Sequence, residues 1–150
     1  LAIAYDGFNT LYSGRLWWSL NYYGHTHVKV LNGGWNKWLL EGRPVTNVEP
    51  KVEQAKFTPS VNESFVADGD YIMEAMKRPD VVLWDVRSLG EYTGENTRGN
   101  KRGGHMPGAI HLEWQNNVTS DEVPMIKDAA ELRDMLEAKG ITPDKEVITY

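Results

Sequence analysis

The sequence predicts an α/β protein in which a parallel sheet is flanked by helices. Three observations carry this. Within residues 1–46 a strand, a helix, a second strand and a second helix follow one another through short connections, and that alternation makes parallel strands joined by helical crossovers. Val81-Val82-Leu83-Trp84-Asp85-Val86 is a continuous β-branched and apolar run between turn signals, the pattern of a strand buried on both faces. The composition, 41% hydrophobic and 25% charged over 150 residues, is that of a folded globular chain, and six Trp, seven Tyr and three Phe provide bulk for a core or a pocket.

Taken in order, Leu1 to Tyr5 reads as a strand closed by Asp6-Gly7. Asn9, Thr10 and Ser13 are candidate N-caps for a helix over Arg15–Tyr23. Leu16, Trp17, Leu20 and Tyr23 are placed inward on it, and Gly24 stops it. Val28 to Leu31 is the next strand, and Trp35 to Glu41 a short helix stopped by Gly42 with Pro44 beyond it. From Arg43 to Phe65 no period survives among Pro44, Pro50 and Pro59, so this stretch reads as a linker. Asp68 to Met76 is a helix with Tyr71, Ile72, Ala75 and Met76 on its inner face. Gly90 to Gly108 reads as a long Gly-rich loop between the Val81–Val86 strand and a shorter one at Ala109–Leu112. Ala129 to Lys139 is a helix with Leu132, Met135 and Leu136 on one face, and Glu146 to Tyr150 is a last strand. Leu1 opens directly on a strand, so the chain is expected to be an excised piece of a longer protein.

A formal net charge of −5, with no basic block on a helix face, argues against nucleic acid as partner. No apolar run reaches the roughly 18 residues of a membrane span, and Leu1 does not open a basic region followed by an apolar run, so a cytoplasmic location without membrane contact is expected. Zero cysteines exclude disulfides, thiolate metal sites and a cysteine nucleophile within these residues. His25 and His27 make a His-x-His pair with no third ligand nearby, so no metal is expected.

Asp85-Val86-Arg87-Ser88 at the end of the buried strand, Glu91-Tyr92-Thr93-Gly94, and Gly104-His105-Met106-Pro107-Gly108-Ala109 occur in the order and spacing of the rhodanese family, which this stretch resembles. Residues 1–46 resemble the later half of the same fold. Their motifs are Tyr5-Asp6-Gly7, Arg15-Leu16-Trp17-Trp18, Gly24-His25, Leu31-Asn32-Gly33-Gly34-Trp35 and Glu41-Gly42-Arg43-Pro44-Val45. The resemblance thus implies a central piece of a tandem sulfurtransferase: 1–46 closing a non-catalytic domain, 47–66 an interdomain linker, and 67–150 opening a catalytic-type domain.

What the resemblance implies chemically is transfer of a sulfane sulfur from thiosulfate or 3-mercaptopyruvate to cyanide or a thiol through a cysteine persulfide. The thiolate sits in a loop of backbone N–H groups at a helix N-terminus, which stabilises negative charge. The family cysteine would directly follow Tyr150, and Asp6 is its counterpart in the first half. A carboxylate accepts no sulfane sulfur, so Asp6 is expected to cap its turn, and the 150-residue stretch alone is expected to be inactive. Arg98 and Arg102 are the donor-binding candidates, since a guanidinium suits a planar anion. Glu91 departs from relatives that place an arginine there. Asp85, Arg87 and His105 are expected to support the site, His105 by hydrogen bonding to backbone.

No cofactor is implied, because protein sulfur carries the transferred atom; the partners implied are a small anionic donor and a thiol or cyanide. Two other readings of the same fold remain at this point: a binding or regulatory module without nucleophile, and a phosphatase-like relative. The resemblance implies that Leu1–Tyr5 and Glu146–Tyr150 correspond to the same central strand of the family's sheet. A permuted single domain with one of them displaced, or a domain-swapped homodimer, is therefore expected of the isolated chain.

Overall fold

Small and β-branched residues at the start of the chain do form a strand. In the computed structural model, which describes residues 1–150, Ala2–Ala4 (β1) pairs in parallel with Val28–Val30 (β2), Ala2 opposite Val28 and Ala4 opposite Val30. Between them Leu11–Tyr22 forms helix α1, and Gly34–Leu40 forms α2 after β2. Ala4, Val28 and Ser13, with Gly33 and Gly34, are the buried residues around which these elements pack. Helix α1 begins four residues before the expected Arg15, and Thr10 occupies its N-cap position without a side-chain cap. Leu16, Trp17 and Tyr23, expected inward, are exposed, because a two-stranded sheet offers too little surface to cover a full helical stripe.

The stretch read as a linker has no regular structure until a short 3₁₀ turn at Glu63–Phe65. Its later part is nonetheless tied down. Ser60 N donates to Tyr23 O at 3.0 Å, Asn62 N to Tyr22 O at 2.8 Å, and Phe65 packs edge-on against Trp18. Residues Leu1–Val66 together with Ser120–Ile126 make one compact unit, and Ala67–Thr119 with Lys127–Tyr150 make the other. In the first unit Ile126 N donates to Asn32 Oδ1 at 2.7 Å, which fastens the late segment beside α2.

The second unit contains Gly69–Ala75 (α3), Val81–Asp85 (β3), Leu89–Thr93 (α4), Ile110–His111 (β4), Ala129–Glu137 (α5) and Glu146–Thr149 (β5). The sheet order is β4-β3-β5, with both pairings parallel. Strand β3 lies at its centre, as a run buried on both faces should. Ala75, Leu83, Ala109 and Ile148 form the core, with Ile72 and Met76 packed against it. Tyr71, expected on that inner face, is exposed, and its hydroxyl is hydrogen-bonded to Glu146. Asp68 caps α3 through Tyr71 N, and Asp128 caps α5 through Ala130 N and Glu131 N. Helix α4 starts at Leu89 and overlaps the beginning of the loop expected over Gly90–Gly108; the interaction of Ser88 with Glu91 builds it. Strands β1 and β5 belong to separate sheets, one in each unit. No helix is long and apolar enough to cross a membrane.

Candidate active site

The C-terminal ends of β3 and β5 bring the motif residues of the second unit together. Asp85 ends β3 with 0% of its surface exposed, so its charge needs partners. Arg87 supplies them: its backbone N reaches Asp85 Oδ1 at 3.0 Å, Nε the same oxygen at 2.9 Å, and Nη2 reaches Oδ2 at 2.5 Å. Burial pushes the Asp85 carboxyl up, but the hydrogen bonds from Arg87 outweigh it and hold the group below the ordinary carboxylate value. The same pairing holds the Arg87 guanidinium above its ordinary value.

Arg87 also joins this strand end to the glycine loop and to the last residue of the chain. Its Nη2 donates to Gly104 O at 2.9 Å, and its guanidinium lies 5.1 Å from the centre of the Tyr150 ring. The Tyr150 hydroxyl accepts from Met106 N at 3.0 Å, and burial, with Asp85 nearby, raises its pKa. Val86 N donates to Tyr150 O at 3.2 Å, which continues the β3–β5 register to the final residue. Asp85, Arg87 and Gly104 thus form a clamp beside Tyr150 at the ends of β3 and β5.

The loop after β3 turns into α4 at Ser88, whose N and Oγ both donate to Glu91 Oε2, at 3.3 and 2.7 Å. This is the reach-back contact of a capping box, and Ser88-Leu89-Gly90-Glu91 is its sequence signal. Glu91 holds a second partner. Arg98 Nε lies 3.2 Å from Oε1 and Arg98 Nη2 3.3 Å from Oε2, two edges meeting fork to fork. Hydrogen bonding from Ser88, with the Arg98 charge adding to it, lowers the Glu91 pKa. Arg98, a donor-binding candidate, is therefore directed onto Glu91. Arg102, the other candidate, is exposed and in no ion pair. Gly94 and Gly103 meet closely: a Cβ on Gly103 would lie 2.7 Å from Gly94 O, so only glycine allows the loop to fold back against α4.

His105 sits where its Nδ1–H donates to Tyr92 O at 2.8 Å, and its ring stacks on Tyr92 with centroids 3.6 Å apart. His111 Nε2–H donates to Arg87 O at 2.9 Å, and the Tyr92 hydroxyl donates to Ala109 O at 3.1 Å. Both histidines are engaged as scaffold donors. The stacking role of Tyr92 and the His111 contact have no signal in the local sequence pattern, because each joins residues of different elements.

In the first unit the turn after β1 is built on Asp6. Asp6 Oδ1 accepts from Phe8 N at 2.7 Å and Thr10 N at 3.2 Å, and Oδ2 accepts from Ser13 N at 2.6 Å. Three backbone N–H groups ahead of and within the first turn of α1 thus converge on one carboxylate. Burial raises its pKa, yet these hydrogen bonds bring it below the ordinary value. The turn is tight: Asn9 and Thr10 have φ of 56° and 69°, and Gly34, at φ 52°, lies so close that a Cβ would stand 2.1 Å from Asp6 O. No group of three or more His, Cys, Asp or Glu side chains is arranged to hold a metal ion.

Residues 68–150 match the rhodanese-like domain family. The chain is 34% identical over 148 residues to a thiosulfate sulfurtransferase of Azotobacter vinelandii, covering 99% of this chain and 54% of that protein. It is 34% identical over 151 residues to a thiosulfate sulfurtransferase of Bos taurus, covering 97% and 50%. It is 36% identical to the sulfur carrier protein TtuD of Thermus thermophilus, covering 99% and 55%. The chain spans about half the length of these curated relatives. Among solved structures, wild-type EanB superposes with a TM-score of 0.81 at 27% identity, over 99% of this chain and 40% of that one.

Proposed function

The chain belongs to the rhodanese family, and from that premise we propose that the protein containing it is a sulfurtransferase that moves a sulfane sulfur from thiosulfate or 3-mercaptopyruvate to a thiol or cyanide. The observation that carries the reading is the similarity to thiosulfate sulfurtransferases along 99% of the chain, through both units. In this reading residues 1–46 close a non-catalytic domain, 47–66 link, and 67–150 open the catalytic-type domain.

The reaction runs on a cysteine placed directly after Tyr150. With thiosulfate its thiolate attacks the outer sulfur, the S–S bond breaks and sulfite leaves with the electron pair; with 3-mercaptopyruvate it attacks the thiol sulfur, the C–S bond breaks and pyruvate leaves as its enolate, which then takes up a proton. The acceptor then attacks the outer persulfide sulfur, and the cysteine leaves as thiolate. The residues present serve this by position. The Asp85–Arg87 pair fixes the exit of β5 and brings one positive charge beside Tyr150, where a thiolate and an anionic donor gain from it. Arg102, unpaired in the glycine loop, attracts the donor. Asp6 occupies the corresponding turn of the first unit with a fixed carboxylate, which accepts no sulfur and repels anions.

The test is thiocyanate formation from thiosulfate and cyanide. The full-length protein turns over, whereas residues 1–150, with no cysteine, stay at the level of a heat-treated control. Turnover by the 150-residue chain would refute the persulfide reading, and a full-length protein with no activity toward either donor would favour a binding module.

A further inference from the structure

Glu91 and Arg98 meet in a way that bears on which donor the site accepts. The two sides of the pair are unequal. Glu91 is anchored: its side chain is 14% exposed, it sits in the first turn of α4, and Ser88 holds one oxygen through two donors. Arg98 is the outer member, 66% exposed, at φ 49° in the loop that returns to Gly103. Its backbone N donates to Asn96 Oδ1 at 3.0 Å, which fixes the turn that aims it at α4. The guanidinium edge formed by Nε and Nη2 is the one that receives a carboxylate through two parallel hydrogen bonds. In this protein that edge is already filled, by the two oxygens of Glu91. The pair lies on the same turn as the clamp, since Ser88, which Glu91 grips, directly follows Arg87.

We propose that Glu91 is a specificity-determining residue that acts through Arg98, occupying the carboxylate-binding edge of that arginine so that the site disfavours donors bearing a carboxylate, such as 2-oxo acid thiols, relative to a compact inorganic donor such as thiosulfate. The proposal rests on the sulfurtransferase reading above. A carboxylate donor has to displace Glu91 from Arg98 and approach a second negative charge, whereas a donor received by Arg102 and the Arg87 charge displaces nothing. Glu91 is a positioning residue in this scheme, because it touches the arginine and not the donor.

The experiment uses the full-length protein as wild type, E91Q, E91A, Arg98→Met and the E91Q/R98M double variant, with KM and kcat measured for thiosulfate and for 3-mercaptopyruvate. E91Q keeps an oxygen for Ser88 and removes the charge; E91A removes both, so agreement between them separates charge from loss of the cap. In E91Q and E91A the KM for 3-mercaptopyruvate falls about tenfold, the size of one charge-assisted hydrogen bond gained. The thiosulfate KM moves much less, kcat changes little for either donor, and the gain is absent in the double variant. A KM ratio between donors within about twofold of wild type, or a gain that survives loss of Arg98, overturns the proposal. If the full-length wild type transfers sulfur from neither donor, the sulfurtransferase reading fails while the pair is still decided by calorimetric binding of pyruvate. Tighter binding to E91Q than to both wild type and the double variant supports the proposal, and equal binding overturns it.

Discussion

Replacing Asp85 by Asn puts the clamp at the end of β3 to its hardest test. The carboxylate is fully buried and takes three hydrogen bonds from Arg87. Removing one partner of a buried ion pair costs about 3–5 kcal/mol, mostly because the other charge is left unpaired. Arg87 here keeps 32% of its side chain exposed and retains Gly104 O, so it can turn partly to water, and we expect the low end, about 3 kcal/mol. For a protein of this size about 2–4 °C per kcal/mol translates that into a fall in Tm of about 6–12 °C. Urea titration followed by far-UV circular dichroism reads the change in the transition of the second unit. The control is Asp85→Leu with Arg87→Met, which removes both charges and should recover much of the loss. A single variant within about 0.5 kcal/mol of wild type, or a double variant worse than the single, would refute the reasoning that a paired buried charge holds this strand end.

Three further outcomes follow from the first unit. Asp6→Ala should destabilise it by about 1–2 kcal/mol, as for loss of a helix cap, with Asp6→Asn milder because it still accepts from the turn. Its pKa lies below the ordinary carboxylate value, so its contribution is complete above about pH 4 and disappears as pH falls through the lower folded-state value; a wild-type stability that fell equally in Asp6→Asn over that window would contradict this. Gly34→Ala, placing a methyl 2.1 Å from Asp6 O at positive φ, should cost about 2 kcal/mol or more and lower the melting temperature of this unit. Asn32→Ala removes the side chain that holds Ile126 through its N and O; limited proteolysis should then cut within residues 120–126 faster than in wild type, and an unchanged cleavage rate would show that other contacts hold the segment.

Legibility in the sequence followed the range of the interactions involved. Strand β3 and helix α5 were readable because each is specified by its own pattern, a β-branched run for one and the shared Leu132, Met135 and Leu136 face for the other. The start of α1 was missed because Asp6, outside the helix, satisfies the N–H of Ser13 seven residues on. The inward placement of Leu16 and Trp17 failed for a different reason: periodicity says which residues share a face, not whether enough sheet exists to cover it. Helix α4 is only five residues long with Gly90 inside it, so composition pointed to loop, although Ser88 and Glu91 carried the capping signal. The contact between Asn32 and Ile126 spans 94 positions, and no local pattern encodes it. At the site, the Asp85–Arg87 pair was legible as a motif, whereas the commitment of Arg98 to Glu91 required the fold of the glycine loop.

In the proposed reaction the clamp of Asp85, Arg87 and Gly104 presents a persulfide-forming cysteine immediately after Tyr150. Mass spectrometry of the full-length protein after incubation with thiosulfate, with proteolytic peptides mapped, tests it most directly. The expected result is the mass of one additional sulfur atom on the peptide that begins at the residue following Tyr150, lost on addition of cyanide with release of thiocyanate. A different residue carrying the sulfur, or no sulfur bound at that position while sulfur transfer proceeds, would contradict it.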